Sequence, residues 1–361
     1  MFSKSFLKNI AANVYPNIKS WWKIGYTPTL NSTESDIWSY AGLYGNSGLF
    51  PAAAVQMEIK EIAGGENTND IGTIIRGSRS VPITSDAGGS TTTLLDADID
   101  FGADGGTAVV AGDILLLDPS GTVSPNIPEW GYITTVATHQ LTCSKGFSLG
   151  GTGTTRKYLV ISSAKTGALV MKIDYLTNTY LEKTLLIPTN GTTAVLTLND
   201  AGAALSDLYR INSFRMVAAG STAKTAESWL LQTVGGGAGT IWSYITKGYT
   251  RARNTIYTVP ANKTLYITEW NVGWAVPNAN KIQSARLFLC ANFESSTLFN
   301  TGNIFYPYFE QIISNEETSI DYEIETLFPQ KTDIKVSGIG FTAGAPGTGA
   351  AASVIRGFIV S

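Results

Sequence analysis

The sequence predicts an all-β protein, on three observations. Short segments repeatedly alternate apolar and polar residues with period two, as from Val55 to Ile62 and again through Leu265 and Ile267, the pattern of a half-buried strand. Glycine is abundant at 37 residues, while charged residues make up only 15%. The usual share is about a quarter, so few long, charge-striped helices can be built. Gly, Asn, Asp and Pro interrupt the apolar runs at short intervals, which marks turns. A chain of 361 residues exceeds what one core serves comfortably, so two or three domains are expected. The architecture read from the chain is two β-sandwich, jelly-roll-like domains, a small β-barrel-like domain inserted into the first, and an N-terminal arm.

Residues 1–33 form the expected arm. Its first thirty residues carry Lys4, Lys8, Lys19 and Lys23 with no acid among them. Phe6, Leu7, Ile10 and Val14 recur at roughly helical spacing until Pro16 stops the pattern. Two readings stay open: a helix folded onto the protein's own body, or an arm docking on a partner through Phe2, Phe6, Leu7, Ile10, Trp21 and Trp22. A membrane-surface helix is disfavoured by its short apolar face. A secretory signal is not expected, because the stretch lacks a continuous apolar centre and a small-residue cleavage site.

Residues 34–79 and 157–250 are assigned to the first, discontinuous sandwich. It opens Gly- and aromatic-rich (ESDIWSYAGLYGNSGLFP), continues through IGTIIR, and resumes after the insertion with YLVISS, GALVMKIDYL and TYLEKTLLIP. Asn190-Gly191 reads as a hairpin turn. Residues 80–156 carry four strand-like runs of their own, with a core expected from Asp113 to Asp118 and Tyr132 to Val136. The C-terminal sandwich spans 251–361 and contains about seven strands. At its start, NTIYTVPANKTLYITEWNVGWA (254–275) reads as two paired strands around a turn at Pro260 to Lys263.

The order of DIWSYAGLYGNSGLFP, YLEKTLLIPTNGTTAV, DLYRINSFRMVAAGS and TKGYTRARNTIYTVPANKTLYIT resembles a family of tailed-bacteriophage virion structural proteins described as head decoration or head-fibre proteins. The marks are an Ile-Trp, Gly-rich opening, an "RIN" segment and a Tyr-x-Val-Pro-x-x-Lys stretch. The likeness covers residues 34–80 and 157–275 best. It implies a structural component of the virion, located on the capsid surface or tail, with the major capsid protein or other virion proteins as partners and a trimer as the assembly. It implies no catalytic residues. A receptor-binding, glycan-binding tail or fibre protein is the alternative.

Candidate chemistry is sparse. The one histidine, His139, cannot furnish a two-histidine metal site, and no G-x-S-x-G elbow accompanies it. Cys143 and Cys290 sit in apolar runs and are expected as buried free thiols. The glycine runs at 150–153 and 235–239 lack the Lys-Ser/Thr of a phosphate loop. Acids cluster at Asp96, Asp98, Asp100 and Asp104, and at Glu316, Glu317, Asp321, Glu323 and Glu325. Their alternation is that of a solvated strand face rather than a glycosidase pair, and the first group lacks the glycine and terminal glutamate of a calcium loop. No enzyme activity, cofactor or metal is expected. Tyr306, Tyr308 and Phe309, with Trp270 and Trp274, are candidates for stacking on host-surface sugars, although core and interface positions are the preferred reading. A net charge of −3 gives no field for nucleic acid. No run is long and apolar enough to span a membrane as a helix.

Overall fold

The computed structural model describes residues 15–104, 106–121, 128–147, 155–235, 239–275, 284–293, 305–314, 320–341 and 349–361. Phe2, Phe6, Leu7 and Ile10, the glycines at 150–153 and 236–237, and Glu316 and Glu317 lie outside the described residues. The fold is all-β, with antiparallel sheets throughout and one short 3-10 turn, Tyr44–Asn46, among the described residues.

The first sandwich faces two sheets across one core. One holds β12 (Glu182–Pro188), β11 (Ala168–Leu176) and β14 (Arg210–Ala219). The other holds β13 (Val195–Leu196), β3 (Met57–Glu61), β15 (Trp229–Thr233) and β16 (Ile241–Ile245). Alternate residues explain the pairing. Met171, Ile173, Leu185, Ile187 and Phe214 meet Met57, Ile59, Trp229, Leu231 and Ile245 in a shared cluster. Asn190-Gly191 does turn the chain, with Gly191 at φ +60°, where glycine carries no Cβ penalty. Its flanks are not a hairpin, however. β12 pairs with β11 and β13 pairs with β3, so the turn carries the chain from one sheet to the other.

The insertion is larger than its composition suggested. Its sheet runs β4 (Ile74–Arg76), β10 (Lys157–Ile161), β7 (Ile114–Leu117), β8 (Glu129–Ala137), β9 (Gln140–Cys143) and β6 (Thr93–Leu95), with β5 (Ile83–Thr84) also on β10. β4 and β10, expected in the first sandwich, are thus strands of this sheet. β7 is buried at all four positions, as a sheet covered on both faces requires. Leu115 and Leu117 face the insert's own core with Phe101, Ile133 and Tyr158. Ile114 and Leu116 face Leu169, Val170, Leu186 and Ala218 of the first sandwich. Tyr132, expected in the core, is exposed; its neighbour Ile133 points inward instead.

From 254 onward the described residues form seven strands of the C-terminal sandwich, the number expected. One sheet is β1 (Ile18–Leu30), β23 (Gly349–Val360), β18 (Thr264–Ala275) and β21 (Ile320–Phe328). The other is β17 (Tyr257–Thr258), β22 (Thr332–Phe341), β19 (Ser284–Phe293) and β20 (Tyr306–Ser314), with β2 (Ser35–Asp36) also on β22. Two expectations are corrected here. The later part of the presumed arm is a regular strand, with Ile18 through Thr27 in continuous register on Val360 through Ala351. The 254–275 stretch is not a hairpin either: β17 pairs with β22, whereas β18 pairs with β21 and β23. The turn is present, with Asn262 at φ +61°. Its two flanks bury Tyr257 and Val259 from one sheet against Leu265 and Ile267 from the other, so the chain arches over the core.

A buried acid gives the first sandwich a pH signature. Glu61, at the end of β3, is 2% exposed, and neither carboxylate oxygen has a hydrogen-bond partner. Nearby Asp70 accepts from the backbone of Ala168, Ala226 and Glu227 and from the Trp229 indole, while Glu227 is paired with Lys247. Burial above all, with Asp70 and Glu227 adding like charge, raises the Glu61 pKa to about 8. A carboxyl raised in the fold favours folding while it is protonated. Its contribution is fully present below the ordinary glutamate range and is lost as pH rises towards about 8. Glu61→Gln should therefore flatten the pH dependence of thermal unfolding and melt higher than the wild type on the alkaline side, but not at mildly acidic pH. Parallel melting curves of the two proteins across that range would refute the assignment.

Candidate functional site

The four segments that carried the family resemblance converge on the junction of the two sandwiches. Arg210 of β14 reaches across to Asp333 of β22, with Nε donating to Oδ1 at 3.0 Å and Nη2 to Oδ2 at 3.0 Å. Both side chains are buried. The guanidinium lies over the Tyr209 ring at 3.9 Å and also donates to the Pro51 carbonyl, while the Thr258 hydroxyl donates to Asp333. Two residues on, Asn212 makes a paired amide contact with Thr258, 2.9 Å in each direction. The RIN segment therefore fastens the first sandwich to the second.

The Ile-Trp opening closes the same junction. Ile37 N–H donates to Val336 O at 2.8 Å, and Trp38 bridges Asn254. Asp36 pairs with Lys335 at 2.9 Å, both buried. Tyr44 packs edge-on against Trp38 and Trp242, each at 5.4 Å. Gly45 is required here, since at φ +60° an added Cβ would come within 2.4 Å of the Trp242 ring. The Tyr180 carbonyl of the YLEK segment accepts from Ala261 N–H.

Beside the junction, a groove of about 1330 Å³ opens between β1 and the outer face of β12, β11 and β14. Trp21 and Trp22 both line it but differ in role. Trp21 is buried, its ring 4.9 Å from Tyr257, so it is a core contact of this chain. Trp22 is 50% exposed and carries the Arg251 guanidinium 4.7 Å from its ring centroid. Lys23 donates to the Asn212 carbonyl and, at 3.3 Å, to Asn254 Oδ1. Burial lowers its pKa to about 7, against the opposing pull of Asp174. Lys19, Lys172, Lys183, Arg215 and Lys263 also line the groove, with Asp174 and Glu182.

A second surface lies at the far side of the C-terminal sandwich, where β20 and β21 are the outermost strands of their sheets among the described residues. Tyr306 and Tyr308 are each 43% exposed there, beside exposed Ile312 and Leu327. Phe309 packs against the core. Trp270 and Trp274 are core residues, as preferred from the sequence. Cys143 and Cys290 are buried free thiols. His139 Nδ1 lies 2.9 Å from the Ile99 carbonyl. Asp96, Asp100 and Asp104 accept backbone N–H groups within their own turn. No cluster able to hold a metal ion occurs among the described residues. Sequence reasoning missed the groove because Lys172 lies on β11, Arg215 on β14 and Arg251 in the segment beyond β16, brought together only by pairing.

No family model matches this chain, and no curated protein matches it. Among solved structures, a chain of the T13 IBDV viral particle aligns over 99% of this chain and 83% of its own length, at 9% identity and a TM-score of 0.14. A likeness that slight carries no argument about fold or function.

The junction generates a stability prediction. Removing one partner of a buried ion pair strands the other, typically at a cost of about 3–5 kcal/mol. Arg210→Met should destabilise the protein by about that much in chemical denaturation, and Asp333→Leu similarly. The double substitution should cost clearly less than the two losses added. Additive losses would show that the pair does not couple the sandwiches.

Proposed function

We propose that this protein is a structural component of a tailed-phage virion, a capsid decoration or head-fibre protein that works as a homotrimer bound to the major capsid protein. The observation that carries the reading is the outer edge of the C-terminal sandwich. Edge strands present unpaired N–H and C=O groups, a template for another chain unless they are covered. Here β20 and β21, last in their sheets among the described strands, lie together, the Tyr308 ring 5.3 Å from Phe328, and Tyr306, Tyr308, Ile312 and Leu327 give that side an exposed apolar rim. Aromatic and aliphatic groups at such a rim suit a subunit interface. The segments resembling the virion family support the same reading. They build the junction that holds the two sandwiches in fixed relation, as a protein bearing load between capsid subunits needs.

A receptor-binding role is the second reading, favoured by the exposure of Tyr306 and Tyr308, whose rings could stack on sugars. The two separate experimentally. For the structural reading, light scattering of the purified chain should give a trimer mass. Ile312→Glu with Leu327→Glu should yield a folded monomer that no longer cosediments with capsids. A monomeric wild type that ignores capsids would overturn it, and density confined to the tail in a reconstruction of the particle would favour the receptor-binding alternative.

A further inference from the structure

The groove between β1 and the first sandwich contains an arrangement that the assembly role does not use. Lys172 of β11 lies directly opposite Arg215 of β14, and Arg215 lies directly opposite Arg251 in the segment beyond β16. Three cations therefore stand side by side in one row across the sheet. Ala252 N–H donates to Phe214 O at 2.9 Å and Met216 N–H to Thr250 O at 2.8 Å. Those bonds flank the Arg215–Arg251 pair and make it the closer, non-hydrogen-bonded kind, with Cα atoms about 4.5 Å apart. Like charges placed directly opposite each other oppose folding. Lys172 is relieved by Asp174 at 2.9 Å; among the described residues neither arginine has a carboxylate partner. Lys19 of β1 also lines the groove.

We propose that this row is an anion-binding site and that the groove takes an acidic polysaccharide, a chain of sugars bearing carboxylates. Guanidinium groups pair with carboxylates through two parallel hydrogen bonds, and two adjacent arginines provide two such forks. Half-exposed Trp22, held under Arg251, offers an aromatic surface for a sugar ring. The groove, about 1330 Å³, exceeds the roughly 300–1,000 Å³ of a small-molecule pocket, which suits several linked sugars. A nucleic acid fits less well. Duplex DNA carries a charge about every 1.7 Å, and Asp174 and Glu182 in the wall would face that density. An acidic glycan spaces its charges about one per sugar. β1, which walls the groove, and β21, at the rim, are opposite ends of their sheet among the described strands, so the site can be tested independently of assembly.

The test is calorimetric titration of the full chain with oligogalacturonate, hyaluronate oligosaccharide and oligosialic acid, against a neutral cello-oligosaccharide and a single-stranded DNA oligonucleotide. At least one acidic glycan should bind at low salt and weaken as salt rises, while the neutral sugar should give no heat. Arg215→Ala, Arg251→Ala and Trp22→Ala should each weaken binding about tenfold or more, equivalent to about 1.4 kcal/mol. Arg215→Ala should melt no lower than the wild type, because its removal relieves repulsion; this also shows that lost binding is not lost folding. The proposal is overturned if no acidic glycan binds, if the neutral sugar binds equally, or if the arginine substitutions leave affinity unchanged. Tighter binding of the oligonucleotide through the same arginines would overturn it in favour of nucleic acid.

Discussion

The buried pair between Arg210 and Asp333 is the constraint on which the rest of the structure depends. A charge can be buried only when it is paired and its remaining hydrogen-bonding capacity is met. Asp333 meets this with two guanidinium nitrogens and the Thr258 hydroxyl, and Arg210 with the Pro51 carbonyl and the Tyr209 ring. These partners come from both sandwiches and from the loop after the Ile-Trp opening. Satisfying the pair thus requires all three to be in place at once, which fixes how one sandwich sits on the other. The wall of the groove follows from that placement, because β1 belongs to the C-terminal sheet and the cation row belongs to the first sandwich.

Strand content was legible in the sequence because period-two alternation records which face is buried. Partners were less legible. The stretch from Ile256 to Ile267 alternates correctly and turns at Asn262, yet its halves enter different sheets, since local pattern is the same for a hairpin and for an arch over a core. Asn190-Gly191 misled in the same way. The membership of β4 and β10 in the insert's sheet was hidden for a related reason: Tyr158 to Ile161 is a continuous apolar run, which says that both faces are covered but not by what. Trp21 and Trp22, read together as docking residues, were separated by the strand they occupy. Adjacent residues on a strand point to opposite faces, so one is core and the other is surface.

The cation row was invisible for a different reason. Lys172, Arg215 and Arg251 lie far apart in the sequence, in a protein whose net charge is −3. Only antiparallel register places them side by side. Registers of this kind are fixed by apolar residues between the charges, such as Met171, Ile173 and Phe214, so the core determines the charge pattern on the opposite face of the same sheet. Folding and the capacity to bind an anion are in that sense set by one set of strand pairings.

Differential scanning calorimetry of the intact wild-type chain tests most directly whether the junction makes the two sandwiches one unit. Both sandwiches should unfold in a single transition, with calorimetric and van't Hoff enthalpies that agree. Separate transitions for the first and C-terminal sandwiches in the wild type would contradict it, since the buried pair would then not couple them.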